Sequence, residues 1–209
     1  MEFPRLGHDF FDRPTLQVAR DLLGTRLVRL ENGLRLAGYI IEAEAYIGEA
    51  DQGCHAKAGR TPRTQVMYSE PGHVYVYFTY GMHWMLNFVT EPAGSPAAVL
   101  IRAIFPSEGV EQMAARRMGQ PRHLWTDGPA KLCQAMGIDK LLNGSDACDP
   151  EAVLFVEQGV AVPDSSVTTG PRVGLYSVPE PWKSIPWRFI IRTPLLFPPF
   201  SPRPGESNS

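Results

Sequence analysis

Cysteine is scarce in this chain. The three present, Cys54, Cys133 and Cys148, are odd in number and far apart, with no C-x-x-C pair. That pattern supports neither a disulfide framework nor a zinc clip, and the thiols read as small, reduced, apolar groups. His55, His73 and His83 show no ligand spacing with any cysteine or carboxylate, so no metal and no organic cofactor is expected. No apolar run is long enough to span a bilayer, and the stretch from Met1 to Arg5 lacks the charged-then-apolar pattern of a secretory leader. The cytoplasm is therefore the expected compartment, with nucleoid association if the source is bacterial. No Gly-rich phosphate loop follows a strand-like run, and no Ser, His and Asp arrangement announces a nucleophile. Positive charge is not in excess either: 20 Lys and Arg against 22 Asp and Glu leave a net charge of −2, which argues against indiscriminate binding to polyanions.

What is present is a chain of 209 residues, 44% hydrophobic and 20% charged, enough for a full core without staples. Its 19 Gly and 20 Pro point to many turns rather than a helix bundle. Charge is unevenly placed. Lys57, Arg60 and Arg63 share one acid-free stretch and Arg116, Arg117, Arg122 and His123 another, while acids gather at Asp139, Asp146, Asp149, Glu151 and Glu157. A helix is expected from Asp12, carrying the stripe Leu16, Ala19, Leu22 and Leu23 and stopped by Gly24. Thr25–Leu30 and Leu34–Tyr46 read as a hairpin around Glu31-Asn32-Gly33, and a Gly-rich basic loop runs from Ile47 to about Gly72. A tight hairpin follows, His73–Thr79 and His83–Thr90 about Tyr80-Gly81-Met82, then a strand at Ala97–Ile104 and helices at Ser107–Met118 and Gly128–Met136. Short strands are expected at Ala152–Val156, Arg172–Leu175 and Trp187–Ile191. The sum is an α+β fold: one mixed domain over 1–192 with a curved, largely antiparallel β-sheet flanked by helices, and a Pro/Ser-rich tail over 193–209 expected to be disordered.

Alternation along Ile41-Glu42-Ala43-Glu44-Ala45-Tyr46 puts Glu42, Glu44 and Tyr46 on one strand face and small apolar residues on the other. Two readings are open: an edge strand with a solvated polar face, or a cleft lined by two carboxylates roughly 6–7 Å apart, a spacing that suits acid and base working around a water. Tyr80, beside Gly81 at a hairpin tip, is either a half-exposed surface ring or a wedge of the kind pushed between stacked bases. Tyr75 and Tyr77 share a face and, with Tyr46, either pack a core or wall a slot in which a base stacks.

The blocks Glu42-Ala43-Glu44-Ala45-Tyr46, His55, Thr61-Pro62-Arg63, Pro71-Gly72-His73-Val74-Tyr75-Val76-Tyr77 and Tyr80-Gly81-Met82 resemble the alkyladenine (3-methyladenine) DNA glycosylase family in order and spacing. The likeness extends through Leu100-Ile101-Arg102-Ala103, Gly128-Pro129-Ala130-Lys131 and Pro171-Arg172-Val173-Gly174, covering roughly residues 5 to 192. It implies a monomeric enzyme that flips an alkylated or deaminated purine out of damaged double-stranded DNA and hydrolyses its N-glycosidic bond without strand cleavage. On this resemblance Glu44 is the general base and Arg102 helps hold the attacking water, with the Val173 carbonyl. Tyr46, His55 and Tyr77 sandwich the base, Asn87 disfavours guanine, and Tyr80 with Met82 enters the duplex. Glu42 has no catalytic counterpart. Ala43, Thr64, His83 and Trp84 depart from the commoner family choices. Two other classes stay open: a hydrolase of free nucleosides using Glu42 and Glu44 together, and a non-catalytic damage-recognition module.

Overall fold

The computed structural model describes residues 3–192; the expected disorder of the tail lies outside them. Four helices, α1 (His8–Phe11), α2 (Thr15–Asp21), α3 (Val110–Arg116) and α4 (Pro129–Met136), accompany eight strands: β1 (Arg26–Glu31), β2 (Leu34–Ile47), β3 (Val74–Thr79), β4 (His83–Val89), β5 (Ala97–Glu108), β6 (Leu154–Glu157), β7 (Val167–Gly170) and β8 (Arg188–Ile191). All strand pairings among the described residues are antiparallel, in the order β3-β4-β5-β2-β1-β6. The sheet forks at β2. Its first half pairs with β1, whereas Glu42–Glu44 pairs with β8, which in turn carries β7. β2 is therefore paired on both edges, and the edge-strand reading of its polar face is overturned. The fold is the expected α+β class. No described helix is long and apolar enough to cross a membrane.

Strand alternation divides the interior in two. Ala43 and Ala45 of β2, Val74 and Val76 of β3, Leu86 and Phe88 of β4, and Val99 and Ile101 of β5 enter one core, beneath α2 and α4. Their neighbours Tyr46, Tyr75, Tyr77, Val89 and Ala98 enter a second, smaller core on the opposite face. That face is covered by the segment after β2, which folds into two 3-10 turns, His55–Ala58 and Gln65–Tyr68, burying Ala56, Val66 and Met67. One side of the sheet thus holds the hydrophobic bulk, and the other carries polar and aromatic side chains under a loop.

Two sequence expectations shift, and one acid of the cluster noted above is buried. The helix expected from Ser107 starts at Val110, because β5 keeps pairing with β2 as far as Ala37↔Glu108; Ser107 Oγ donates to the Ala37 carbonyl, and Glu108 is taken by Arg26 and Arg35. The strand expected at Arg172–Leu175 is a turn, with Gly174 at φ +85°, and the strand lies earlier, at Val167–Gly170. Glu157 is not a solvated acid but a buried one, 2.8 Å from Arg26 Nη1 and 2.7 Å from Arg35 Nη2.

The turn at Arg172 is anchored by a fully buried ion pair. Both guanidinium ends hold Asp51, with Nη2 to Oδ1 at 2.8 Å, and Nη1 also donates to the Ala45 carbonyl at 3.0 Å. Asp51 in turn accepts from the Ile47 and Gly53 amides, so it also closes the chain reversal after β2. Removing one member leaves the other charged, buried and unpaired. Asp51→Ala is expected to lower the free energy of unfolding by about 3–5 kcal/mol, measured by urea denaturation; a loss under about 1 kcal/mol would show that the pair does not tie these segments together.

Candidate active site

Register assembles the site across five strands. Tyr75 pairs with Asn87, Asn87 with Leu100, Leu100 with Glu44, and Glu44 with Arg188. Since paired residues share a face, these side chains form one row, with strands about 4.8 Å apart. Flanking rows hold Tyr77 against Met85 on one side and Val89, Ala98 and Tyr46 on the other. Beside them the β2–β5 ladder carries compensating irregularities. Ile41 is skipped on β2, since Ile40 pairs Ile104 and Glu42 pairs Ala103; Arg102 is skipped on β5, since Ala43 pairs Ile101. Bulges re-aim side chains, and here the guanidinium of Arg102 is brought to both glutamates.

Glu44 has no exposed surface. Its Oε1 accepts from the Val173 amide at 2.7 Å and lies 3.3 Å from Arg102 Nη1; its Oε2 accepts from the Tyr46 hydroxyl at 2.8 Å. Burial raises the Glu44 pKa from its ordinary value, against the opposing pull of Arg102, the Val173 N–H and the Tyr46 hydroxyl. Burial, reinforced by Glu44, pushes the Tyr46 phenol well up, so Tyr46 keeps its proton and donates it. Burial works against the charge of Arg102, but Glu44 and Glu42 more than offset it and raise its pKa. Glu42 is engaged elsewhere: it accepts from Arg102 Nε at 2.7 Å and from Arg188 Nη1 at 3.3 Å, and it does not line the cavity. The structure therefore gives no support to two carboxylates facing one another across a water.

The cavity in front of this group has a volume of about 490 Å³, within the roughly 300–1,000 Å³ usual for ligand sites. Tyr46, His55, Tyr77, Asn87, Arg102 and Tyr80 all line it, as do Val173 and Gly174. Glu44 lies just behind this wall, covered by Val173, Arg102 and Tyr46. His55 stands edge-on to Tyr77, ring centroids 4.5 Å apart, with Nδ1 3.0 Å from the Tyr75 hydroxyl. Burial, with Arg63 and Lys57 nearby, lowers its pKa to about 4, so the imidazole is neutral. Asn87 is buried, its Nδ2 donating to the Tyr75 carbonyl at 3.0 Å. Cys54 also lines the cavity, but burial pushes its thiol up to about 12, which removes it as a nucleophile.

At the rim, Tyr80 is 80% exposed; Met82, 67% exposed, does not line this cavity. Tyr80 has φ +52° and Gly81 φ +68°. A left-handed backbone is cheap for glycine but costs a tyrosine roughly 1–2 kcal/mol, and such strain is concentrated at functional positions. Arg63 braces the hairpin: its guanidinium lies 5.3 Å from the centroid of the Tyr77 ring, with Nη2 3.4 Å from the Phe78 carbonyl. The second basic run is less free, because Arg116 is ion-paired with Glu31.

Two residues at the site were not singled out from the sequence. Arg172 lies 4.7 Å from the centroid of the Tyr46 ring and sets the turn whose Val173 amide meets Glu44. Lys131, at the start of α4, lines the cavity and pairs with Asp127 at 2.9 Å. Neither is near the β2 motif in sequence, and nothing in local pattern marks them. Thr64, where the family resembled commonly has Asn, accepts from the Thr61 amide at 2.8 Å and donates to the Gly59 carbonyl at 2.8 Å, closing the basic loop.

A carboxyl that holds its proton more tightly when folded stabilises the fold least where it is ionised. The contribution of Glu44 to stability is therefore greatest below the ordinary carboxylate range and falls as pH rises through its folded value. Glu44→Gln, which removes the ionisation, is expected to be more stable than the parent at pH 7.5, with the gain vanishing near pH 4. Equal stability at both pH values would mean that the partners fully compensate the buried charge.

The methylpurine-DNA glycosylase family model matches residues 9–194. A protein of Methanocella arvoryzae named as a candidate 3-methyladenine DNA glycosylase is 50% identical over 188 residues, covering 89% of this chain and 92% of its own length. One of the same name from Myxococcus xanthus is 45% identical, covering 90% of each chain. By both measures, across a span that contains the whole cavity wall, the chain belongs to the methylpurine-DNA glycosylase family.

Proposed function

We propose that this protein is a DNA repair enzyme that flips an alkylated or deaminated purine out of damaged duplex DNA and hydrolyses its N-glycosidic bond, leaving an abasic site. The observation that carries the reading is a single cavity with a neutral aromatic slot, a strained exposed tyrosine at its mouth, and a buried carboxylate behind its wall. A base inside a duplex cannot be reached, and extruding it costs a few kcal/mol, less where damage has weakened pairing. Tyr80 fills the gap and Met82 flanks it; Tyr46, His55 and Tyr77 take the extruded base, with about 1–3 kcal/mol per stacked ring. A purine alkylated at N3 or N7 is cationic. A neutral His55 does not repel it, and the electron-rich ring faces attract it. Asn87 crowds the position that guanine's exocyclic amino group would occupy.

Glu44, as carboxylate, takes a proton from water; the water oxygen bonds to C1′ as the bond from C1′ to the purine nitrogen breaks. The bonding pair leaves with the base, which neutralises an alkylated purine, whereas hypoxanthine requires a proton as it departs. General-base help of this kind contributes typically about 10²–10⁴ in rate, and a raised carboxyl pKa moves the base toward the operating pH. Arg102, which lies 3.3 Å from Glu44 Oε1 and lines the cavity, holds water and base together. Lys131 lines the cavity and is paired with Asp127, and the reading is hydrolysis without a Schiff base at this lysine. The enzyme acts as a monomer and without metal or cofactor in the chemical step.

The test is a base-release assay on duplexes carrying 3-methyladenine, 7-methylguanine, hypoxanthine and ethenoadenine. Glu44→Gln is expected to retain binding to damaged duplex while base release falls at least 10²-fold; undiminished release would remove Glu44 from the mechanism. No covalent protein–DNA adduct is expected after borohydride treatment, and an adduct lost in Lys131→Gln would make the enzyme a lyase. Tyr80→Ser is expected to weaken damaged-duplex binding about tenfold with the melting temperature unchanged, and unaltered affinity would refute the wedge. Release from free nucleosides as fast as from duplex would favour a nucleoside hydrolase.

A further inference from the structure

We propose that His8, Asp146 and Cys148 form a binding site for a thiophilic divalent cation of the zinc class, on the flank of the sheet away from the catalytic cavity. Among the described residues, these three bring a ring nitrogen, a carboxylate oxygen and a thiol sulfur within 4.8 Å of one another. None of them lines the catalytic cavity. The donor set, one nitrogen, one oxygen and one sulfur, is the mixture zinc accepts in tetrahedral sites, where ligand atoms stand roughly 3.3–3.8 Å apart. His8 Nε2 and Asp146 Oδ2 are already 3.3 Å apart, so only the sulfur has to close in.

The second observation is what faces the His8 ring. Nδ1 lies 2.7 Å from the Pro71 carbonyl, which can only accept, so Nδ1 carries the hydrogen. In a neutral ring Nε2 is then a lone pair, and it points at a carboxylate oxygen. A cation placed beside these two atoms would be shared by the ring nitrogen and the carboxylate oxygen. A carbonyl on the far nitrogen is also the usual way a ligating histidine is oriented. Asp146 is prepared in the same sense: its Oδ1 accepts from the Cys148 amide at 2.8 Å, which leaves Oδ2 for the cluster.

Gly72 makes room for the sulfur. A Cβ there would stand 2.5 Å from Cys148 Sγ and 3.5 Å from His8 Nδ1, and the residue has φ +89°, so both space and backbone exclude a side chain. The mount is shared, since Ala147 N–H donates to the Gly72 carbonyl and His73 bridges to Asp146. A cation here would tie α1 and the 146–148 turn to the root of β3, whose other end leads to Tyr80. Burial and Asp146 push the thiol up to about 12, so binding breaks the S–H bond, forms the sulfur–metal bond and sends one proton to solvent.

Cobalt(II) reports on such a site directly. Titrated into reduced, metal-free protein, Co²⁺ is expected to give a thiolate-to-cobalt charge-transfer band saturating at one equivalent and abolished by added Zn²⁺. The band should be lost in Cys148→Ser and in His8→Gln and retained in Cys54→Ser. Zn²⁺ should raise the melting temperature of the parent protein but not of Cys148→Ser. Base release by Cys148→Ser should match the parent. No band, or a band that survives Cys148→Ser, would overturn the site and leave His8 and Asp146 as a pair without a metal.

Discussion

A carboxylate taken wholly out of water needs partners, and two of the three partners of Glu44 come from distant parts of the chain. Tyr46 is two residues away, Arg102 belongs to the neighbouring strand, and the Val173 amide arrives from a turn near the far end. A buried, unpaired carboxylate would cost several kcal/mol, so the fold is committed to bringing these groups together. The forked sheet does so. β2 runs through its centre, paired with β5 along one edge and with β1 and then β8 along the other, which leaves the strand beneath Glu44 little freedom to slip. A one-residue slip would send Glu44 into the apolar core and Ala43 or Ala45 to the cavity.

The same constraint explains why the polar side of the sheet needs a second, smaller core. Tyr75, Tyr77 and Tyr46 offer large surfaces that solvent would otherwise cover, and the loop after β2 supplies Ala56, Val66 and Met67 to pack beneath and beside them. What it leaves uncovered is the cavity. Hydroxyl and imidazole are paired before any ligand arrives, His55 with Tyr75 and Asn87 with the Tyr75 carbonyl. On the proposed function, a base entering the slot would meet groups whose geometry is already set, so that less ordering entropy would oppose binding.

Much of this was legible in the sequence, and the boundary between what was and was not is physical. Strand faces follow from a two-residue period, so Tyr46 and Glu44, and Tyr75 and Tyr77, could be assigned to common faces, and the helix at Gly128–Pro129 announced itself by its first turn. The α+β class followed from the same local signals. Contacts between remote segments left no such trace. Arg172 reads as part of a strand-like run because nothing local shows that its guanidinium is claimed by Asp51. Ser107 and Glu108 read as a helix start because their strand pairing depends on Ala37 and on Arg26 and Arg35. The cluster of His8 with Asp146 and Cys148 escapes the spacing rules for metal ligands for the same reason. The family resemblance supplied the roles of Asn87 and Arg102, for which periodicity and spacing alone gave no warrant.

The hairpin that ends in Tyr80 shows how the two halves of the site are mechanically linked. An aromatic plug holds bases apart only if its mount is stiffer than the stack it displaces. β3 is paired along its full length with β4; its root is fixed by Val74 N–H to the Ser145 carbonyl and Val76 N–H to Asn143 Oδ1, and its middle is packed through Tyr75 and Tyr77 into the cavity wall. If Tyr80 is the wedge proposed above, force on it would be passed to the cavity wall at Tyr77 rather than to a free loop. The left-handed backbone at Tyr80 fits this arrangement, since a strained tip is held only where the strands behind it leave no alternative. On the proposed function, wedge and slot would therefore sit on one hairpin, joined through the β3–β4 ladder.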